Sequence, residues 1–172
     1  LFFRYFQSLD LPVEVLEDSD TQRVEIHRNP LGVIGAIIPW NFPIILLAFK
    51  MPAALLAGNS IVIKPAPTTP LSALHLGRLI ADALPPGVVN IIADNNDLGA
   101  QITPPKGISK ISCTGATATG ARVLASAAST LKRITLELGG NDAGIIMDDV
   151  DVEAVAPQIF DGAFGNNGQI CI

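Results

Sequence analysis

The spacing of hydrophobic positions changes along the chain near residue 31. Before that point, residues 21–28 alternate polar and apolar side chains, which is typical of a half-exposed antiparallel strand. Beyond it, short continuous apolar runs alternate with longer helix-like segments. Continuous runs are typical of parallel strands whose two faces are both covered by helices. We therefore predict an α/β fold with a doubly wound, mostly parallel sheet and helices on both faces.

The individual elements follow from these runs and from the residues that end them. Residues 1–8 are predicted to end an amphipathic helix, and residues 11–20 to form an acidic turn. Gly58 is predicted to cap the first long helix, because glycine adopts the conformation that commonly ends one. Strands are predicted over 33–38, 61–63, 88–92, 108–113, 132–138 and 143–147. Helices are predicted over 43–57, 69–84, 98–103, 114–129 and 152–164.

Composition narrows the class of protein further. Hydrophobic residues make up 49% of the chain and charged residues 16%, with a mean hydropathy of +0.44. This high share of apolar residues fits a protein in which a large fraction of the side chains is buried in the core. The net charge is −5 and the basic residues do not cluster, so nucleic acids and anionic membranes are unfavourable partners. The most apolar stretch, 31–58, contains three prolines, an asparagine and a lysine, too many interruptions for a lipid-facing helix of about 20 residues.

The cysteines and the chain ends also carry information. Cys113 and Cys171 have neither metal-ligand nor disulfide-framework spacing, so we expect a reduced, cytoplasmic setting and no metal site. The chain begins at Leu1 within a helix-like segment, and no stop signal closes residues 168–172. We expect it to be a piece of a longer polypeptide.

Asn41 and Lys64 lie where predicted strands end, a place where open α/β sheets bind ligands. Asn41 could serve a ligand there, or it could only begin the next helix as a polar cap. Lys64 directly follows an apolar strand, and its ammonium could donate to ribose or phosphate oxygens. Alternatively, it only protects the edge of a strand.

Two further side chains suit acid–base and nucleophilic chemistry. Glu137 lies between two leucines at a strand end, a setting typical of a general base. Cys171 follows a polar loop and is available as a nucleophile, whereas Cys113 ends an apolar strand and is predicted to lie in the core. The turn at 114–120 is glycine-rich and could approach a phosphate, although such a turn more commonly only begins a helix.

Taken together, four motifs resemble those of the NAD(P)-dependent aldehyde dehydrogenases. They are Pro39-Trp40-Asn41-Phe42-Pro43, Lys64-Pro65-Ala66, Glu137-Leu138-Gly139-Gly140 and Gly168-Gln169-Ile170-Cys171. The motifs occur in the family's order and approximate spacing, across the middle part of a family member. The resemblance implies a Rossmann-like cofactor-binding domain over 1–138, an oligomerisation hairpin within it at 12–30, and the truncated beginning of a catalytic domain at 139–172.

The resemblance also implies an activity and its residues. It implies that an aldehyde is oxidised to a carboxylic acid with NAD or NADP, through a thiohemiacetal and a thioester on Cys171. Asn41 would stabilise the oxyanion and Glu137 would activate water. The implied cofactor-binding positions are Ile37, Ile38, Pro39, Trp40, Lys64, Ala66, Pro67, Gly115, Ala116 and Leu138. The full-length protein is expected to form a homodimer or homotetramer, and the 172-residue chain alone is expected to show no turnover.

Some positions depart from the family's pattern. Pro67 stands where NAD-preferring members often have a glutamate, and Ala116 stands where a serine is frequent. Asp94 adds a negative charge where glycines are common. Because position 67 has no carboxylate, the sequence predicts weak discrimination between NAD and NADP.

Two other functions compete with aldehyde oxidation. The chain could belong to an inactive member of the same fold that is retained for structure, although such a scaffold need not keep both Glu137 and Cys171. It could also belong to a cysteine-dependent esterase or hydrolase. That chemistry needs a histidine base, and neither His27 nor His75 is placed convincingly for it.

Overall fold

The computed structural model describes residues 1–95 and 97–171. It confirms the predicted α/β fold. The strands are β1 (Glu14–Asp18), β2 (Arg23–Ile26), β3 (Val33–Ile37), β4 (Ser60–Lys64), β5 (Val89–Ile91), β6 (Lys110–Thr114) and β7 (Arg133–Glu137). The helices are α1 (Phe2–Gln7), α2 (Pro43–Leu56), α3 (Leu71–Ile80), α4 (Leu98–Ile102), α5 (Thr117–Ala128) and α6 (Val152–Phe164), followed by a 3-10 turn at Gly165–Gly168.

The main sheet has five parallel strands in the order β5-β4-β3-β6-β7. The chain starts in the middle at β3, builds outward to β5, and then crosses to the other side of β3 to add β6 and β7. The order therefore reverses between β3 and β6. In open α/β sheets, ligands bind beyond the carboxyl ends of the strands at such a reversal.

Hydrophobic side chains cover both faces of the sheet. Ile34, Ala36 and Ile38 point to one face and pack with residues of α2 and α3. Ile37 points to the other face and packs with Ile111, Cys113, Ile102 and Val123. Side chains of a strand alternate between faces, so an uninterrupted apolar run such as β3 can serve two cores at once.

The end of α2 follows the prediction made for Gly58. Its φ is +75°, in the left-handed region, and a Cβ at this position would lie 2.9 Å from Pro30. Glycine meets both demands because it has no side chain. The cap directs the chain straight into β4.

Two sequence predictions about secondary structure are wrong. Residues 11–20 were predicted as a turn, yet they contain β1, which pairs with β2 as a two-stranded antiparallel hairpin. Residues 143–147 were predicted as a strand, and no strand forms there; Ile145 is 81% exposed. A strand needs a neighbour for its backbone hydrogen bonds, and none lies beside this segment in the described part of the chain. Asn96, in the predicted polar turn after β5, lies outside the described residues, as does Ile172.

The length and apolar character of the described helices show whether any of them could span a membrane. Across residues 1–95 and 97–171, none of them combines the length and the apolar character that crossing a bilayer requires.

Candidate active site

Four candidate residues or turns lie at the carboxyl edge of the main sheet. Lys64 is the last residue of β4 and Glu137 the last of β7. Asn41 follows β3, and the turn at Gly115 follows β6. Parallel strands all end at the same edge, so the topology collects side chains that are far apart in sequence.

Asn41 connects this edge to the loop that carries Cys171. Its Nδ2 donates to the carbonyl oxygen of Gln169 at 3.0 Å. Asn166 donates through its own Nδ2 to the same oxygen at 3.2 Å and to the carbonyl oxygen of Asn41 at 3.4 Å. An asparagine amide has two N–H donors, so Asn41 retains one for a ligand. Asn41 is not the cap of α2, whose N-cap is Phe42 without a side-chain hydrogen bond; instead its side chain holds Gln169, two residues before Cys171.

Gly140 brings the segment after Glu137 against Cys171. A Cβ built on Gly140 would collide with the backbone carbonyl oxygen of Cys171. The obstacle is backbone, so a flexible side chain cannot relieve it. The glycine in Glu137-Leu138-Gly139-Gly140 therefore permits a close approach of two segments that both carry candidate residues.

Gly140→Ala should displace the Cys171 segment and lower kcat/KM of the full-length protein by roughly 10²-fold, the scale expected for a misplacement of about 1 Å. Steady-state kinetics of the reaction that the sequence resemblance implies measures this loss. Gly139→Ala is the matched control, because a Cβ there meets nothing within 4 Å. Equal activity of the two variants would show that the close approach does not position Cys171.

Glu137 differs from its expected setting. Its side chain is exposed rather than enclosed by its leucine neighbours. Its backbone carbonyl accepts a hydrogen bond from the N–H of Gly115 at 3.0 Å, which ties the end of β7 to the turn after β6. A carboxylate at this edge is accessible to water.

The turn between β6 and α5 has the features of an anion site. A Cβ on Gly115 would meet nothing within 4 Å, and Ala116 is exposed at the N-cap of α5 without a side-chain cap. The first N–H groups of a helix are orphaned and attract negative charge. In the described structure the buried Thr114 Oγ1 also has no hydrogen-bond partner, which leaves a polar atom at the same edge for a ligand.

The remaining cofactor-binding candidates differ in exposure. Ile37 and Ile38 are buried in the two cores, so any contact with a ligand would use their backbone. Leu138 is half-buried and packs on Gly120 of α5, where a Cβ would lie 2.6 Å from its Cδ2. The other positions range from buried Lys64 and Ala66 and half-buried Pro39 to exposed Trp40 and Pro67.

The two cysteines have different surroundings, as the sequence predicts. Cys113 is fully buried, and burial raises the pKa of its thiol, opposed by the nearby charges of Lys50 and Lys64. A thiol of raised pKa carries little thiolate near neutral pH. Cys171 is half-exposed and lies beside Gly140. Only Cys171 is both accessible and near Asn41 and the Glu137 segment.

Lys50 is a buried lysine that the sequence analysis did not identify as a candidate functional residue. It lies on α2 with 9% exposure, and its Nζ donates to Ser112 Oγ at 3.0 Å. Burial lowers the pKa of the Lys50 ammonium, while the ionised forms of Cys113 and Glu137 act in the opposite direction. The signal was present in the sequence as a single lysine inside an apolar helix, which interrupts the hydrophobic run without ending it.

The histidines and possible metal ligands lie elsewhere or are not clustered. His27 lies 2.8 Å from Glu25 on the hairpin side of the chain, and His75 lies beside Arg78 in α3. Within the described ranges, no group of three or more histidine, cysteine or acidic side chains could hold a metal ion.

Comparison with known proteins gives a consistent result. The chain matches the aldehyde dehydrogenase family over residues 2–172. It is 43% identical over 171 residues to aldehyde dehydrogenase LUC3 of a Fusarium species, covering 99% of this chain and 36% of that protein. The chain thus spans a little over a third of the length of the curated relatives it matches.

Solved structures agree in fold as well as in sequence. PnpE from Pseudomonas, crystallised with nicotinamide adenine dinucleotide, is 39% identical with a TM-score of 0.91, covering 99% of this chain and 36% of that one. The NAD⁺ complex of an aldehyde dehydrogenase from Bacillus cereus is 37% identical with a TM-score of 0.92, covering 99% and 35%. A match over nearly the whole chain, together with the collected site residues, leads to one conclusion. The chain belongs to the aldehyde dehydrogenase family.

Proposed function

We propose that the full-length protein oxidises an aldehyde to a carboxylic acid with NAD or NADP as the hydride acceptor. One observation carries this proposal: Asn41 contacts the loop of Cys171 while Gly140 holds the Glu137 segment against Cys171. These contacts support the proposal, because they link a thiol, an amide donor and the segment of a carboxylate at one edge of the sheet. That set of groups suits covalent oxidation of a carbonyl.

The chemistry on the chain has two halves. The Cys171 thiolate attacks the aldehyde carbon, and the carbonyl oxygen becomes an oxyanion that the free N–H of Asn41 stabilises. Loss of hydride from this thiohemiacetal leaves a thioester on Cys171. Glu137 then takes a proton from water, which attacks the thioester and releases the acid and the thiolate. Splitting the reaction in this way replaces one difficult step with two easier ones.

The residues after β3, β4 and β6 would hold the dinucleotide, which supplies the hydride acceptor when bound. The open space at Gly115 and the exposed start of α5 fit a pyrophosphate. Lys64 would donate to the adenosine ribose, with Ala66 and Pro67 following it in the same turn. Pro39, Trp40 and Leu138 would line the site, and Ile37 and Ile38 would contribute backbone. Both solved relatives described above bind NAD.

The proposal extends to domains and assembly. Residues 1–138 would form the cofactor-binding domain and residues 139–172 the beginning of the catalytic domain. The 12–30 hairpin would join subunits into a homodimer or homotetramer, which sedimentation of the full-length protein measures. Five apolar side chains of this hairpin are exposed and would be covered by assembly: Val13, Val15, Leu16, Val24 and Ile26.

Absorbance of the reduced dinucleotide tests the proposed reaction. Purified full-length protein is mixed with NAD or NADP and a panel of aliphatic and aromatic aldehydes, and formation of the acid is followed in parallel. Equal amounts of reduced cofactor and acid are expected. Acid release from an ester without cofactor, and no cofactor reduction, would favour a hydrolase. No change with any aldehyde would favour an inactive structural member.

A further inference from the structure

Two buried side chains of opposite charge meet at the end of β4. Lys64 Nζ lies 3.2 Å from Oδ1 of Asp94, which lies in the turn after β5. The two side chains are only 5% and 7% exposed. Buried charges are poorly screened by water, so each strongly affects any charged group that arrives beside it.

Further contacts hold this pair in place. Oδ2 of Asp94 accepts a hydrogen bond from the N–H of Leu98 at 2.8 Å. Lys64 Nζ also donates to the carbonyl oxygen of Pro65 at 3.4 Å. The stem of Lys64 passes beside Gly99, where a Cβ would lie 3.9 Å from Cδ. The ammonium is therefore held next to Asp94 rather than free to move away from it.

We propose that Asp94 is a specificity-determining residue that disfavours a phosphate on the adenosine 2′-oxygen. This inference rests on the proposed function, in which Lys64 binds the adenosine ribose. Two oxygens that each lie about 3 Å from one ammonium nitrogen, in directions set by its tetrahedral geometry, lie about 5 Å apart. A ribose 2′-oxygen bound by Lys64 would thus lie about that far from Oδ1 of Asp94.

A hydroxyl and a phosphate respond to Asp94 differently. The 2′-hydroxyl of NAD is neutral, so it can accept from Lys64 without being repelled. The 2′-phosphate of NADP carries roughly two negative charges, which Asp94 repels. Asp94 also neutralises the ammonium that would otherwise attract that phosphate. Asp94 therefore supplies the negative charge that Pro67 lacks, and the weak discrimination predicted from Pro67 is replaced by a preference for NAD.

The test measures binding of NAD and NADP by titration calorimetry, without aldehyde, in the full-length protein. Asp94→Asn keeps the shape of the side chain and removes its charge. We expect the wild type to bind NAD at least about tenfold more tightly than NADP, and Asp94→Asn to shift the ratio of the two Kd values about tenfold towards NADP. Asp97→Asn is the matched control, because it removes an exposed carboxylate from the same turn and should leave the ratio unchanged.

Each outcome decides the proposal. An unchanged ratio in Asp94→Asn, or an equal shift in Asp97→Asn, overturns it. Asp94→Gly removes the same charge and replaces Asp94→Asn if that variant loses cooperative thermal unfolding. A wild type that binds NADP as tightly as NAD overturns the proposal without any variant. If the protein binds neither dinucleotide, the proposed function itself is overturned. If it binds both and Asp94→Asn does not change the ratio of their Kd values, only the proposed role of Asp94 is overturned.

Discussion

Cys171→Ala should abolish both the first-turnover burst of reduced dinucleotide and the steady-state rate of the full-length protein. Glu137→Gln should behave differently, because glutamine keeps the shape of the side chain but cannot take a proton from water. Acylation then continues while release of the acid stalls. Stopped-flow absorbance should show a burst close to one equivalent per active site, followed by very slow turnover.

Two controls separate the roles in this experiment. Cys113→Ala removes the buried cysteine and should retain both phases, since Cys113 lies in the core. If Glu137 also helps to deprotonate Cys171, the burst in Glu137→Gln will be slow. Raising the pH then supplies thiolate and restores the burst rate but leaves the steady rate low. Normal steady turnover in Glu137→Gln, or a full burst in Cys171→Ala, is incompatible with the assigned roles.

Asn41→Ala should slow the burst by roughly 10²–10³-fold, the usual loss when one oxyanion donor is removed. The physical reason is that negative charge develops on the aldehyde oxygen only in the transition state, where Asn41 would donate. The rate of the burst in single-turnover stopped flow measures the effect, and dinucleotide binding should change little.

Asn41 also holds the turn before Cys171, so a purely structural effect has to be separated from this one. Asn166→Gly removes a second donor to the same Gln169 oxygen and a donor to the Asn41 carbonyl oxygen, but it leaves the Asn41 side-chain amide in place. Glycine suits this position because the φ of Asn166 is +51°. We expect a loss below about tenfold for Asn166→Gly. Losses of similar size in the two variants would assign Asn41 to loop structure alone.

The parallel sheet could be predicted from the sequence because its three middle strands, β4, β3 and β6, are largely buried. The run of β3 has no polar side chain, residues 61–63 of β4 are also apolar, and Gly58 marks the end of the helix between the two strands. Such signals are local. The wrong predictions came from segments in which strand formation depends on pairing with a neighbouring strand. The local sequence pattern does not show whether such a partner is present. Residues 143–147 are apolar enough for a strand, yet no strand pairs with them among the described residues.

The site could be predicted only in part, because its contacts join distant residues. Asn41 and Gln169 are 128 positions apart, and neither carries a local signal of the other. The pairing of Lys64 with Asp94 likewise depends on how β4 and β5 lie side by side. Gly140 illustrates the same limit, because the glycine was noticed within a motif but its contact with Cys171 was not. Sequence patterns therefore named most of the groups, while topology decided which of them meet.

The acyl group on the enzyme offers the most direct test of the proposed chemistry. Full-length Glu137→Gln protein is mixed with aldehyde and NAD, quenched after the burst, digested, and analysed by peptide mass spectrometry. We expect an added acyl mass on the peptide that contains Cys171, formed only when the dinucleotide is present. An acyl group on Cys113, or a full burst with no acyl group on Cys171, would contradict the account.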